Sequence, residues 1–274
     1  MSELSEIKFF ILDMDGTIYL ENNILKGSLD FLAELEAAAK DYIFLTNNSS
    51  KNRADYQHKL KGMGIETAAE KIINSGEITA SYLREQGNKK GKRIYLLGTD
   101  SLKEEMERFG HQIVNEKENI REKPEEVDYL VLGFDKTLNY QKLWDAHQLI
   151  LSGVEYIATH PDLVCPLSGG KTQPDTGAMI ELLAASTGKR PLIVGKPEKL
   201  TVDYILKRFE LKKSELAMVG DRLYTDMRMA HDAGITGILV LSGETKRADI
   251  EELSSEQKYF NYVFEDVAEI VNYL

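Results

Sequence analysis

Asp13-Met14-Asp15-Gly16-Thr17 sets two carboxylates two residues apart, directly behind the apolar run Phe9-Phe10-Ile11-Leu12. Side chains two apart on an extended segment point the same way, so both carboxylates face one small volume. Like charges that close are costly unless a cation or a shared proton relieves them. A hard cation that prefers oxygen ligands, such as Mg2+, resolves the conflict. Gly16 lets the chain turn sharply after the pair. Taken alone, an Asp-rich turn capping the next element accounts for the same residues.

Three further stretches repeat this placement. Gly220-Asp221-Arg222-Leu223-Tyr224-Thr225-Asp226 follows the apolar run 216–219 and precedes a helical pattern. Asp221 is suited to complete a metal site with Asp13. Asp226 is suited to hold a metal-bound water or to brace the loop, with helix capping as its plainer role. Thr46-Asn47-Asn48-Ser49-Ser50 follows the run 42–45 and coincides with an expected helix start. Free N–H groups at a helix start favour phosphate, Thr46 and Asn47 add side-chain donors, and Ser49 or Ser50 is the expected N-cap. Gly195-Lys196-Pro197 follows 192–194; its lysine can pair with a phosphate oxygen and a nucleophilic carboxylate, although a single lysine is more often solvated. The weight lies in the coincidence, because all four stretches sit at the carboxyl ends of expected core strands, where open parallel sheets bind ligands.

The elements that must position these residues are short apolar runs alternating with helical patterns, the grammar of parallel βαβ units. Strands are expected over 7–12, 42–45, 192–194, 216–219 and 235–241, with helices over 28–40, 52–61, 201–209 and 225–233. Near-continuous apolar runs suit strands buried on both faces. The middle of the chain repeats the pattern by itself, with strands over 93–97, 129–132 and 156–158 and helices over 101–109 and 140–151. This predicts an α/β protein whose core is made of residues 1–79 and 182–274, with a smaller α/β domain, 80–181, inserted between them.

With 274 residues, 42% hydrophobic and 29% charged, the chain is ordinary for a soluble protein that buries its own core. Its net charge of −11 argues against general affinity for nucleic acid or an anionic membrane. It does not argue against an anionic substrate met by a few local donors. Cys165 is the single cysteine, so no intramolecular disulfide or cysteine metal cluster forms, and a reducing cytoplasm fits best. The apolar run at 9–12 is too short for a signal core or a membrane span. Two lookalikes fail on context. Gly170-Lys171-Thr172 lacks the first glycine of a P-loop, and Asp135-Lys136-Thr137, similar to the phosphorylated motif of ion-pumping ATPases, has no membrane spans around it.

Together, Asp13-Met14-Asp15-Gly16-Thr17, Thr46-Asn47, Lys196 and Gly220-Asp221 with Asp226 resemble the four motifs of the haloacid-dehalogenase-like (HAD) superfamily, in order and over essentially the whole chain. The resemblance implies a Rossmann-like parallel-sheet core. An insertion between the second and third motifs is similar to that superfamily's type-two (C2) cap. Thr46-Asn47-Asn48-Ser49, Gly195-Lys196-Pro197 and the Gly220–Asp226 stretch resemble subfamily IIA, the NagD or para-nitrophenylphosphatase-like enzymes. Ala158-Thr159-His160-Pro161-Asp162 and Pro174-Asp175-Thr176-Gly177-Ala178 in the insertion, and Tyr19 after the first motif, do so too.

What the resemblance implies is a Mg2+-dependent phosphatase acting on a small phosphorylated metabolite, with para-nitrophenyl phosphate as a surrogate. Asp13 would be the nucleophile, passing through an aspartyl-phosphate, and Asp15 the general acid and base. The metal would be held by Asp13, the Asp15 backbone carbonyl and Asp221, with Asp226 behind them. Thr46, Asn47, Asn48 and Lys196 would hold the phosphoryl oxygens. His160, Asp162 and the loop 168–173 would face the substrate from the cap. The subfamily often carries Asn or Asp where His160 stands, so selectivity does not transfer, and a loop-stabilising role for His160 stays open. A phosphotransferase or phosphomutase using the same intermediate is the alternative, as is a catalytically silent binding module; retention of Asp13, Asp15, Lys196 and Asp221 argues against the latter. The physiological substrate is not identified, and a homo-oligomer stays open.

Overall fold

The computed structural model describes residues 4–87, 90–117, 119–167, 169 and 171–274. The chain opens with β1 (Phe9–Asp13), the ribbon β2 (Tyr19–Leu20) and β3 (Asn23–Ile24), α1 (Ser28–Ala37), β4 (Asp41–Thr46), α2 (Arg53–Gly62), β5 (Ile72–Asn74) and α3 (Ser75–Glu85). It continues through β6 (Arg93–Leu97), α4 (Asp100–Arg108), β7 (Gln112–Ile113), β8 (Tyr129–Leu132), α5 (Tyr140–Leu151), β9 (Glu155–Ala158), the ribbon β10 (Val164–Pro166) and β11 (Thr172–Pro174), α6 (Thr176–Thr187) and β12 (Leu192–Ile193). It closes with α7 (Lys199–Phe209), β13 (Leu216–Gly220), α8 (Arg228–Ala233), β14 (Thr236–Val240), α9 (Arg247–Glu251), β15 (Tyr262–Phe264) and α10 (Val267–Ile270). Among the described residues no helix is long and apolar enough to cross a membrane.

The chain forms two compact units. One comprises Met1–Thr46, Tyr56–Ile73 and Lys196–Leu274, the other Asn47–Asp55 and Asn74–Gly195. The first is built on a six-stranded sheet in the order β15-β14-β13-β1-β4-β5. β1 lies near its middle, parallel to both β4 and β13; its four apolar residues are buried, as a strand covered on both faces requires, and Asp13 at its end is buried with them. Register then fixes placement: Asp13 pairs with Leu45, and Leu12 with Val219. Asp13, Thr46 and Asp221 therefore emerge at one edge of the sheet. Phe10, Phe31, Phe44, Tyr56 and Leu60 anchor the core beneath.

The second unit has a five-stranded sheet, β12-β9-β8-β6-β7, all of whose pairings are parallel. Its core gathers Tyr95, Leu97, Leu130, Leu132, Leu149 and Ile180. Side-chain caps start its helices: Asn74 accepts from Glu77 N at 2.8 Å and Asn139 from Lys142 N at 2.9 Å. Asp135 also turns inward, accepting from Thr137 and from Lys142 Nζ at 2.7 Å, and so braces the turn before α5.

Several expectations need correction. Residues 192–194 are not a core strand; β12 joins β9 in the second sheet. A short apolar run reads alike whichever sheet it enters, so sequence pattern alone does not assign it. The divisions expected at 79/80 and 181/182 fall inside α3 and α6, and the two compact units exchange chain at 46/47, 55/56, 73/74 and 195/196. The edge strands β5 and β15, three residues each, lacked a run long enough to register. The helix expected over 225–233 starts with a π-type turn, Leu223–Met227, before α8.

Candidate active site

The carboxyl ends of β1 and β13 bring three carboxylates together. Asp13, Asp221 and Asp226 are all buried, and each offers an oxygen within 4.8 Å of the others. Lys196 enters the same space and is itself buried, bonding Asp13 and, at 2.6 Å, Asp226 Oδ1. The other Asp226 oxygen accepts from Arg222 N at 3.1 Å. These two bonds give Asp226 a definite task, and the π-type turn is what carries it there. Such turns recur at functional sites.

The surrounding backbone is shaped for close approach. Gly16 has φ +93°, and a Cβ there would run into the Asp221 carboxylate. Gly243 packs against the same carboxylate from the loop after β14, where a Cβ is equally excluded. That loop went unnoticed in the sequence. Glu244 N donates to Asp221 Oδ2 at 2.6 Å, and Ser242 Oγ donates to Gly16 O at 2.8 Å. The available signal was Ser242-Gly243-Glu244-Thr245, a small polar run directly behind a core strand.

Burial dominates the electrostatics. It pushes the Asp13 carboxyl well above the usual carboxylate range; Lys196 opposes this, while the charges of Asp226 and Asp221 add to it. Asp221 is pushed up to about 7, by burial first and then by Asp226. For Lys196, burial disfavours the charge, but Asp13 and Asp226 outweigh it and raise the ammonium above its ordinary value. Asp15 is raised by burial and held down by Lys59, the Tyr19 hydroxyl and Arg222.

A divalent cation fits this site. Two of the three buried acids, Asp13 and Asp226, bond the one lysine, and Asp221 Oδ1 is buried without a hydrogen-bond partner. Hard oxygen donors of this kind suit Mg2+. A pH dependence follows. A carboxyl titrating at about 7 folded, against 3.8 ordinarily, holds its proton more tightly in the folded chain. Without metal, the fold therefore loses stability as pH rises between those values. A cation that takes up the carboxylate charge offsets that loss, so Mg2+ is expected to raise Tm more at pH 8 than at pH 5. Thermal melts with Mg2+ and with a chelator check this, and an equal or larger gain at pH 5 would contradict it.

The remaining expected residues divide between the units. Thr46 ends β4 in the first. Asn47 and Asn48 lie in the second, where Asn47 Nδ2 donates to Asp162 Oδ1 at 3.1 Å. Asn48 Oδ1 accepts from Ser50 N at 3.0 Å and so shapes the turn. The N-cap of α2 is Asn52, reciprocally bonded with Asp55, not Ser49 or Ser50. Ser49 instead bonds Thr159 Oγ1 at 3.0 Å and Phe134 N at 2.9 Å. His160 lies wholly inside its unit, its Nε2 2.9 Å from Thr176 Oγ1 and its two nitrogens each 3.6 Å from an aspartate, Asp162 or Asp175. Of the two roles left open, this placement favours loop bracing. Ser168 and Gly170 of the 168–173 loop lie outside the described residues.

A strand-end nucleophile candidate, a buried carboxylate cluster and a counter-charged lysine on a parallel sheet define a class, and comparison with known proteins agrees. A family model described as haloacid dehalogenase-like hydrolase matches residues 10–112, and a HAD-hydrolase-like model matches 193–270. Phosphoglycolate phosphatase 1A of Arabidopsis thaliana is 33% identical over 261 residues, spanning 90% of this chain and 72% of the relative. The crystal structure of 4-nitrophenylphosphatase from Thermotoga maritima superposes with a TM-score of 0.90 at 44% identity, covering 98% of each chain. Glycerol phosphate phosphatase from Mycobacterium tuberculosis, solved in complex with magnesium, gives 0.87 at 25% identity over 97% of this chain and 77% of that one. The chain belongs to the haloacid dehalogenase-like hydrolases, within the branch that holds NagD and the 4-nitrophenylphosphatases. It is a phosphoric monoester hydrolase of that family.

Proposed function

We propose that this hydrolase releases phosphate from small phosphorylated metabolites with Mg2+, through an aspartyl-phosphate on Asp13. The observation that carries the reading is the buried cluster of Asp13, Asp221 and Asp226 around Lys196 at the sheet's carboxyl edge. Asp13, the Asp15 carbonyl and Asp221, with Asp226 behind them, would hold Mg2+, which would neutralise charge on the carboxylates and on the phosphoryl oxygens. The magnesium in the mycobacterial relative supports this choice of ion.

Lys196 opposes the burial that favours protonation of Asp13, and an oxygen of the ionised carboxylate attacks phosphorus in line. The bond to the leaving oxygen breaks and that oxygen takes the proton of the Asp15 carboxyl. Asp15 then removes a proton from water as it displaces Asp13 from phosphorus. Thr46 and Lys196 hold the phosphoryl oxygens while charge moves. The inserted unit, 80–181 in the sequence reading, serves as a C2 cap, with His160 and Asp162 acting on selectivity through the loop they brace. A cytoplasmic metabolite is the natural substrate class.

The test is phosphate release from 4-nitrophenyl phosphate and from a panel of phosphorylated metabolites, with Mg2+ and after chelation. Metal-dependent turnover is expected. A metal-loaded protein inactive across the panel would overturn the reading, and phosphate recovered on an acceptor rather than free would favour a phosphotransferase.

A further inference from the structure

Lys59 departs from what an exposed helix lysine does. It projects from α2 beside Tyr56 and Leu60, both buried in the core. Its side chain keeps only 16% of its exposure, although a lysine on a polar helix face normally reaches water. The ammonium instead sits 3.9 Å from the centre of the Tyr19 ring and 3.9 Å from Asp15 Oδ1. Tyr19 is itself fully buried, with its hydroxyl 3.7 Å from Met14 Sδ and also favouring the charge of Asp15. The ring face thus fixes the cation, since a partly desolvated ammonium over an aromatic ring is attracted to its quadrupole. The cation in turn faces the one carboxylate of the first motif that is not in the metal cluster. The other nearby cation, Arg222, is engaged by Glu244, with Nε 3.1 Å from Oε2.

We propose that Lys59 is the positioning residue of the acid–base carboxylate: seated on Tyr19, it holds Asp15 in the orientation that serves the leaving oxygen. This rests on the functional reading above. In the step concerned, Asp13 forms its bond to phosphorus, the electron pair of the breaking P–O bond goes to the leaving oxygen, and that oxygen takes the Asp15 proton. A leaving group stable as an anion needs that proton little, whereas a poor one needs it greatly. Lys59 therefore governs how steeply the rate falls as the leaving group worsens.

The experiment measures kcat/KM, which stops at departure of the leaving group, for aryl monoesters of similar shape running from 4-nitrophenyl to 4-methoxyphenyl phosphate, with Mg2+. The Lys59→Met variant is expected to lose about tenfold more on 4-methoxyphenyl than on 4-nitrophenyl phosphate, and Lys59→Arg, which keeps the charge, to recover most of it. Equal losses on all esters, or no loss at all, with an active wild type would overturn this assignment alone. A wild type that hydrolyses none of them would overturn the hydrolase reading and this assignment with it.

Discussion

The Asp13→Asn variant is expected to lower phosphate release by about ten-thousand-fold or more, the scale of loss when a covalent nucleophile is removed. The fold should survive. Asparagine keeps the shape of aspartate, and the site it occupies is crowded with negative charge from Asp226 and Asp221. Taking one charge out of that cluster relieves repulsion, while Lys196 retains Asp226 as a partner. In metal-free buffer the variant's Tm is therefore expected to equal or exceed that of the wild type. Activity measured beside thermal melts separates loss of chemistry from loss of structure. Turnover within tenfold of wild type would remove Asp13 as the nucleophile.

Lys196→Met is expected to damage both properties. Its ammonium is the counter-charge for two buried carboxylates, Asp13 and Asp226. Removing one partner of a buried ion pair leaves charge uncompensated and costs about 3–5 kcal/mol. The rate should also fall at least about a hundredfold, because a donor to the phosphoryl oxygens is lost. Mg2+ should restore part of the stability, since it supplies positive charge to the same carboxylates, but little of the rate. Chemical denaturation with and without Mg2+, alongside phosphate release, checks each part. An unchanged unfolding midpoint without metal would mean that the lysine does not carry the cluster's charge.

Much of the candidate site was legible because its placement is local. Asp13, Thr46 and Asp221 each follow a buried apolar strand, and a parallel sheet sets the carboxyl ends of its strands along one edge. The registers of β1 with β4 and β13 bear this out. Lys196 stands out in the sequence for the same reason, although β12 before it pairs with β9 in the second sheet rather than with the core strands. Asp226 was harder. Five residues beyond Asp221, it reads as a helix cap, and only the π-type turn with the bonds from Lys196 and Arg222 N gives it a place in the site. Gly243 and Glu244 were missed because their task is to close around a carboxylate far away in sequence.

By itself, the sequence determined the alternating α/β grammar, the strand ends that bear carboxylates and the likeness to a phosphate-handling family. Those follow from periodicity and from residue type at fixed spacing. Tertiary structure alone decided which sheet each short strand joins, which unit claims Asn47 and Asn48, that His160 turns inward, and that Lys59 stands over Tyr19 beside Asp15. Each of these depends on contacts between distant segments and on the desolvation they impose. Neither leaves a mark in local pattern.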